Sequence, residues 1–278
     1  MLRLLWKRST TVPVEAECIT PDNLTGKSSA EIERLLVQHG NRSEPLAEFF
    51  RVEGDAGDGE ILLEGEMDRV KWVGAGMTRG LIRIQGSIGM HLGSEMSGGR
   101  IHVSGGDAGD WVGAEMRGGL IHVSGNAGHQ VGAAYRGSRR GMRGGTILIN
   151  GSAGNEVGST MRRGLIAIGN DCSDFAGGSM IAGSILLFGA TGIRLGAGMK
   201  RGTIALFGPG LGRGELTLLP TFRFDCDYEP VFMRLLLRQL RLCLFPIPTF
   251  DPQSGSFRRF SGDLVTLGKG EVLVWGER

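Results

Sequence analysis

Between Glu60 and Gly208 the chain alternates apolar and other positions over short runs, each closed on both sides by glycine. Gly80-Leu-Ile-Arg-Ile-Gln-Gly86, Gly99-Arg-Ile-His-Val-Ser-Gly105 and Gly119-Leu-Ile-His-Val-Ser-Gly125 are three successive examples. The series opens at Glu60-Ile-Leu-Leu-Glu-Gly65, resumes after a longer loop at Gly145, and fades after Gly202-Thr-Ile-Ala-Leu-Phe-Gly208. Most copies then show Val or Leu before a glycine and a Met-x-x-Gly corner, as in Leu92-Gly93 and Met96. Two-residue alternation of β-branched residues between glycines predicts strands joined by tight turns. The copies start at Gly80, Gly99, Gly119, Gly145, Gly164, Gly183 and Gly202, so they are spaced by 19, 20, 26, 19, 19 and 19 residues. Such a period is too short for a pair of helices but holds three short strands. The expected fold is mainly β, a parallel β-helix of about seven coils. Its Ile/Val pairs, the Val or Leu before glycine, and the methionines should point inward in ladders roughly 4.8 Å apart.

The flanks have another texture. Residues 1–58 are expected to cap the open lower end of the stack, where a bare β edge would pair with other chains. Within them Thr20-Pro21-Asp22 predicts a turn, and Ser28-Ser-Ala-Glu31 a capping box opening a short helix. That helix would carry Ile32, Leu35 and Leu36 on one face and stop at Gly40; a strand through Phe49, Phe50 and Val52 would feed the first coil. The repeat itself takes 59–208, and 209–278 predict a C-terminal cap containing one amphipathic helix, from Pro230 to Leu244. Phe232, Leu235, Leu236 and Cys243 would form its apolar side and Arg234, Arg238 and Arg241 a solvated stripe, with Pro246 and Pro248 ending it. Strands around turns follow at 257–263 and 268–274, so both caps are small α/β elements.

Composition narrows the class. With 278 residues, 41% of them hydrophobic, and no apolar run long enough to cross a membrane, the chain can build one large domain or two small ones. Its first residues lack the long apolar core and cleavage site of a signal peptide, so a cytoplasmic location is expected. A net charge of +2 without aromatic interleaving argues against a nucleic-acid partner. Cys18, Cys172, Cys226 and Cys243 are far apart and show no metal-binding or disulfide spacing. Free, mostly packed thiols are expected, and no metal or cofactor held by this chain.

Candidate chemistry is sparse. His102 and His122 fall at one repeat position in successive coils, but two imidazoles fall short of the roughly three or four ligands of a metal site, so a solvent-facing ladder is expected. Glu95 and Glu115 align likewise, with no nucleophile or base beside them; neighbouring arginines favour salt bridges. Gly208–Gly214 and Gly262–Lys269 resemble phosphate loops only superficially and predict turns. Trp72 and Trp111 would share a coil face, open to an interface or to packing. The feature that stands out is basic. Between residues 112 and 170 there are seven arginines, Arg117, Arg136, Arg139, Arg140, Arg143, Arg162 and Arg163, against two acids, Glu115 and Glu156. Met-x-x-Gly corners and the long loop should stack them along one edge, a geometry suited to carboxylate recognition.

The repeat with its Met-x-x-Gly corners, preceded by Val12-Pro13-Val14-Glu15 and Thr20-Pro21 and followed by Gly262-Asp263 and Gly268-Lys269-Gly270-Glu271, resembles a known family over essentially the whole chain. It is similar to the C subunits of formylmethanofuran dehydrogenase and of the bacterial formyltransferase/hydrolase complex; the repeat alone also resembles the β-helical domain of glutamate synthase. The resemblance implies a right-handed β-helix and a non-catalytic subunit. It implies partners: an amidohydrolase-like A subunit, a B subunit and, in the bacterial complex, a formyltransferase D subunit. The chemistry implied is formyl transfer between tetrahydromethanopterin and a methofuran-type carrier, and the seven arginines would then guide the carrier's polyglutamyl tail. The C subunit of a molybdenum or tungsten dehydrogenase is the alternative, and a glutamate-synthase-like domain another. A left-handed acyltransferase helix would need a hexapeptide period, and a carbohydrate-active helix an acidic groove.

Overall fold

In the computed structural model, residues 1–208, 218–247 and 255–277 are described. The expected turn at Gly208–Gly214 and the helix stop at Pro248 lie largely outside them.

The N-terminal segment forms β1 (Leu2–Trp6), β2 (Val14–Glu15), α1 (Pro21–Leu24), α2 (Ser29–Glu33), β3 (Leu36–His39), β4 (Arg42–Pro45) and β5 (Phe50–Gly54). The repeat supplies β6 (Glu60–Glu64), β7 (Val70–Lys71), β8 (Leu81–Gln85), β9 (Arg100–Ser104), β10 (Leu120–Val123), β11 (Arg143–Ile149), β12 (Arg163–Ile168), β13 (Ser184–Leu187) and β14 (Arg201–Leu206). β15 (Arg223–Tyr228), α3 (Val231–Leu242), β16 (Gly255–Gly262) and β17 (Lys269–Glu277) complete the described chain.

The architecture is mainly β. Thirteen strands form one sheet in the order β15-β16-β17-β14-β13-β12-β11-β10-β9-β8-β6-β1-β5, with a four-stranded sheet β4-β3-β2-β7 beside it. Repeat strands pair in parallel with like residues opposite each other: Ile82 with Ile101, Ile101 with Ile121, Ile121 with Ile147. A second parallel ladder, Met67-Ile88-Ala108-Ala127-Ala153-Cys172-Thr191, joins the same copies at another point of each turn. The inward ladders form as the spacing predicts: Met77, Met96, Met116, Met142, Met161, Met180 and Met199 are fully buried, as are Ile101, Val103 and their equivalents. Burying each such side chain contributes about 1.5–3 kcal/mol, available only when the neighbouring copy supplies the other wall.

Close packing explains the glycines. Gly113 has φ +60°, and a Cβ there would lie 2.5 Å from Ile147 Cδ1, so the position excludes a side chain both by backbone and by space.

Both ends are closed by non-repeat strands. β1 lies parallel to β6 and antiparallel to β5, with Leu2 and Leu4 fully buried. At the other end β17 continues the parallel stack on β14, Ile204 opposite Val272, and β16 turns back antiparallel.

Three local expectations need correction. Ser28 does form the capping box with Glu31, but α2 ends at Glu33, and Leu36, placed on a helix face by the sequence, is 63% exposed on β3. Pairing of β3 with both β2 and β4 outweighs the weak helical period there. The Thr20 turn is one turn of helix, with Thr20 Oγ1 accepting from Asn23 N–H at 3.2 Å. In α3 the buried face is Met233, Leu237 and Leu240, packed on Leu148, Leu165, Leu186 and Phe188; Leu235 is 64% exposed. The arginines are solvated as expected.

Candidate functional site

One edge of the repeat carries three columns of side chains. The first stands where each coil turns before its Val-Gly or Leu-Gly step, or Ala176-Gly177 in one coil. Trp72, His91, Trp111, Gln130, Glu156, Phe175 and Arg194 occupy it, all in the left-handed region with φ between 59° and 67°. Each non-glycine residue there costs on the order of 1–2 kcal/mol of backbone strain. Each N–H in the run from Trp72 to Phe175 donates to the adjoining coil, as His91 N–H does to Asp110 O at 2.8 Å and Trp111 N–H to His129 O at 2.8 Å. The shared conformation brings planar groups face to face. Trp72 and His91 stack at 4.1 Å, His91 and Trp111 at 5.2 Å, Gln130 Nε2 donates to Glu156 Oε2 at 3.2 Å, and Arg194 lies 5.2 Å over Phe175.

Tyr135, the first aromatic residue of the long loop, closes over the lower part of this stack, its ring 5.6 Å from His91 and 5.9 Å from Trp72. Its hydroxyl donates to Ser94 Oγ at 2.7 Å, so His91 Nδ1–H is the donor in the 3.0 Å contact to the same hydroxyl. Ser94, fully buried, donates in turn to Trp111 O at 3.4 Å. The result is a directed chain, His91 to Tyr135 to Ser94 to Trp111. Burial, seconded by the charge of Lys71, lowers the His91 pKa to about 4, and burial pushes Tyr135 up to about 12. Both groups are neutral near pH 7.

The second column includes Glu95 and Glu115, again left-handed, at φ 58° and 53°. Glu95 Oε2 pairs with Arg117 at 2.8 Å, while Glu115 Oε1 accepts Tyr135 N–H at 3.2 Å. One carboxylate therefore neutralises an arginine of the expected strip and the other pins the arginine-bearing loop.

The third column follows each methionine. Arg117, Arg143 and Arg162 occupy it in three consecutive coils, their N–H groups donating to Met96, Met116 and Met142 carbonyls at 2.7, 2.7 and 2.8 Å. Arg163 is the ladder partner of Arg143. Arg136, Arg139 and Arg140 are exposed on the loop, and Arg162 Nη2 reaches Arg139 O at 3.4 Å. The geometry brings the expected residues to one edge. Arg117 is compensated; the other six have no ion-pair partner among the described residues, and the Nε atoms of Arg143 and Arg162 are buried without a hydrogen-bond acceptor. Arg79, at the corner of an earlier coil, is 3.6 Å from Asp22.

His102 and His122 stand in register on neighbouring strands with rings 5.2 Å apart, and His122 Nε2–H donates to Asn150 Oδ1 at 2.8 Å. Burial, then the charges of His122 and Arg83, lowers the His102 pKa. Among the described residues no three His, Cys, Asp or Glu side chains converge as metal ligands. The cysteines are unpaired: Cys172 is buried and its thiol is pushed up to about 12, Cys18 is half-buried and raised to about 11, and Cys226 is exposed. Sequence reasoning found Trp72 and Trp111 but missed His91, Ser94 and Tyr135. His91 precedes Leu92-Gly93 as Trp72 precedes Val73-Gly74, so the repeat alignment carried that signal.

No protein-family model matches the chain. The chain is 47% identical over 256 residues, 92% of each chain, to the C subunit of the formyltransferase/hydrolase complex Fhc of Methylorubrum extorquens. It is 41% identical over 93 residues to the C subunit of a molybdenum-containing formylmethanofuran dehydrogenase of Methanosarcina barkeri, a match covering 32% of this chain and 31% of that relative. Tungsten-containing dehydrogenase C subunits, such as that of Methanothermobacter thermautotrophicus, match at 41% over 92 residues, covering 32% of this chain and 34% of that relative. In three dimensions it superimposes, with a TM-score of 0.89 and 36% identity over 99% of this chain and 100% of the other, on a chain of the Methylorubrum extorquens formyltransferase/hydrolase complex FhcABCD crystallised with methylofuran.

Proposed function

The chain belongs to the family of the C subunits of the formyltransferase/hydrolase complex and of formylmethanofuran dehydrogenase, and from that membership we propose that it is the C subunit of a formyltransferase/hydrolase assembly acting in tetrahydromethanopterin-linked one-carbon metabolism. In this reading it holds no catalytic residue and no cofactor of its own. It acts in the cytoplasm, beside an amidohydrolase-like A subunit, a B subunit and a formyltransferase D subunit. Its repeat, 59–208, winds as a parallel β-helix of about seven coils between the caps 1–58 and 209–278, a reading supported by the in-register parallel pairing of successive copies, and its right hand is taken from the family resemblance. The length of the match favours the hydrolase over the dehydrogenase: 256 residues align with the former and 93 with the latter.

The observation that carries the docking role is the arginine edge. Arg136, Arg139, Arg140, Arg143, Arg162 and Arg163 are cations without ion-pair partners among the described residues, on neighbouring coils, and Arg117, paired with Glu95, stands beside them. Such an edge guides a polyanionic, polyglutamyl carrier tail of the methofuran type, leaving the formyl-bearing end free to move between partner active sites. Replacing Arg136, Arg139 and Arg140 together by glutamate is expected to slow carrier-dependent turnover of the assembled complex at low salt, with the difference shrinking as salt rises. Unchanged turnover at low salt refutes the docking role. Loss of subunits on purification assigns the edge to assembly instead.

A further inference from the structure

Helix α3 is apolar on two opposite sides. Met233, Leu237 and Leu240 face the strands, with Phe232 and Leu236 half-buried at their margin. On the far side Val231 is 72% exposed, Leu235 64% and Leu242 76%, and Leu244 just past the helix is 85% exposed. A helix with apolar residues on both faces is built to be covered on both, and a patch of this kind marks an interaction surface. The described residues cover only the inner face.

The charges beside the patch say what covers the outer one. Arg234, Arg238 and Arg241 are all exposed, none forms an ion pair among the described residues, and the helix from Val231 to Leu242 contains no acidic residue. A second copy of this chain would meet the patch about a twofold axis and oppose one arginine row to another, a like-charge contact that weakens association. An acidic surface with apolar centres meets the patch without that penalty, and arginine pairs with carboxylates through two parallel hydrogen bonds.

We infer that the outer face of α3 is a subunit interface, with Leu235 and Leu242 as apolar anchors and Arg234, Arg238 and Arg241 as the partners of an acidic surface on another protein of the assembly. The inference rests on the C-subunit reading. It is separate from the arginine edge, which lies on the corners of the repeat.

The test uses the whole assembly, co-expressed and recovered through a tag on this chain, in wild type and two variants: Leu235→Asp with Leu242→Asp, and Arg234→Glu with Arg238→Glu and Arg241→Glu. Each variant chain is also melted alone. The expected result is at least a tenfold loss of co-purifying subunits from both variants, with unfolding midpoints of the isolated chains unchanged. Wild-type recovery of partners by both variants overturns the interface. A lowered midpoint in the isolated leucine variant also overturns it, because the face is then covered by this chain itself. So does a wild-type chain that sediments alone as a dimer which the variants dissociate. If the wild-type chain brings down no partner, the C-subunit reading itself fails, an outcome visible before any variant is compared.

Discussion

Replacing Tyr135 by phenylalanine isolates what holds the arginine loop in place. The ring and its contacts with His91, Trp72 and Trp111 persist, as does the backbone bond to Glu115. What disappears is one oxygen and two hydrogen bonds, the 2.7 Å bond to Ser94 and the 3.0 Å bond from His91. Ser94 is fully buried, so its oxygen is left without the donor it had, and His91 Nδ1–H without its acceptor. Stranding buried partners costs about 1–3 kcal/mol. Taking about 2 kcal/mol, a protein of this size should melt roughly 3–4 °C lower. If the loss falls on the loop locally, its opened population rises by up to about 30-fold, since each 1.4 kcal/mol is tenfold. Limited trypsin digestion reads this directly, because Arg136, Arg139 and Arg140 follow Tyr135 and are themselves the cleavage sites. Cleavage there should accelerate while cleavage elsewhere changes little. Wild-type cleavage rates together with a wild-type melting point would refute the hydrogen-bonded anchor and leave the loop held by ring stacking alone.

Three further outcomes follow from other parts of the fold. His91 has a folded pKa of about 4 against 6.5 for the ordinary side chain, so the unfolded chain binds the extra proton first. Its contribution is fully present above pH 6.5, is lost as pH falls from there to 4, and changes no further below; in His91→Phe the fall in urea midpoint between pH 7 and pH 4 should be smaller than in wild type. Gly113→Ala should destabilise by at least about 1–2 kcal/mol from the left-handed backbone alone, and more from the 2.5 Å approach to Ile147 Cδ1, read as a lowered denaturation midpoint. Asn155 Oδ1 accepts Asp174 N–H at 3.2 Å, as His129 Nδ1 accepts Asn155 N–H at 2.9 Å, a side-chain ladder along another corner. Asn155→Ala should cost about 1 kcal/mol, with faster amide exchange at Asp174 than in wild type.

How far the sequence reaches depends on whether a residue's neighbours are fixed by the repeat. Ile101, Val103 and Met96 were legible as core because the same residue types recur at the same phase and can meet only their own copies. The corner columns were partly legible for the same reason: the alignment places Arg117, Arg143 and Arg162 in one line, and backbone bonds to Met96, Met116 and Met142 carry that line through the structure. What it could not give is the state of each charge. Glu95 and Arg117 are 22 residues apart, and their pairing depends on a left-handed turn at Glu95 that no propensity favours. The same holds for Tyr135, whose loop interrupts the period and so leaves no register to read.

Outside the repeat, legibility fails where two local patterns compete for one backbone. Residues 35–39 hold apolar positions compatible with a helix or a strand, and neighbours far along the chain decide: β2 and β4 offer hydrogen bonds on both edges, and Val37 rather than Leu36 is buried. β17 lies beyond the fading of the repeat, yet it takes the next place in the ladder because Val272 and Val274 reproduce the inward pair of Ile204 and Leu206. Helix α3 is the sharpest case. Its period was correct and its buried face was not, because a helix apolar on two sides has no unique inside until something packs against it. The stack selected Met233, Leu237 and Leu240, and that choice left Leu235 and Leu242 outward. An amphipathic pattern is thus a statement about all the surfaces a helix will meet, those of other chains included.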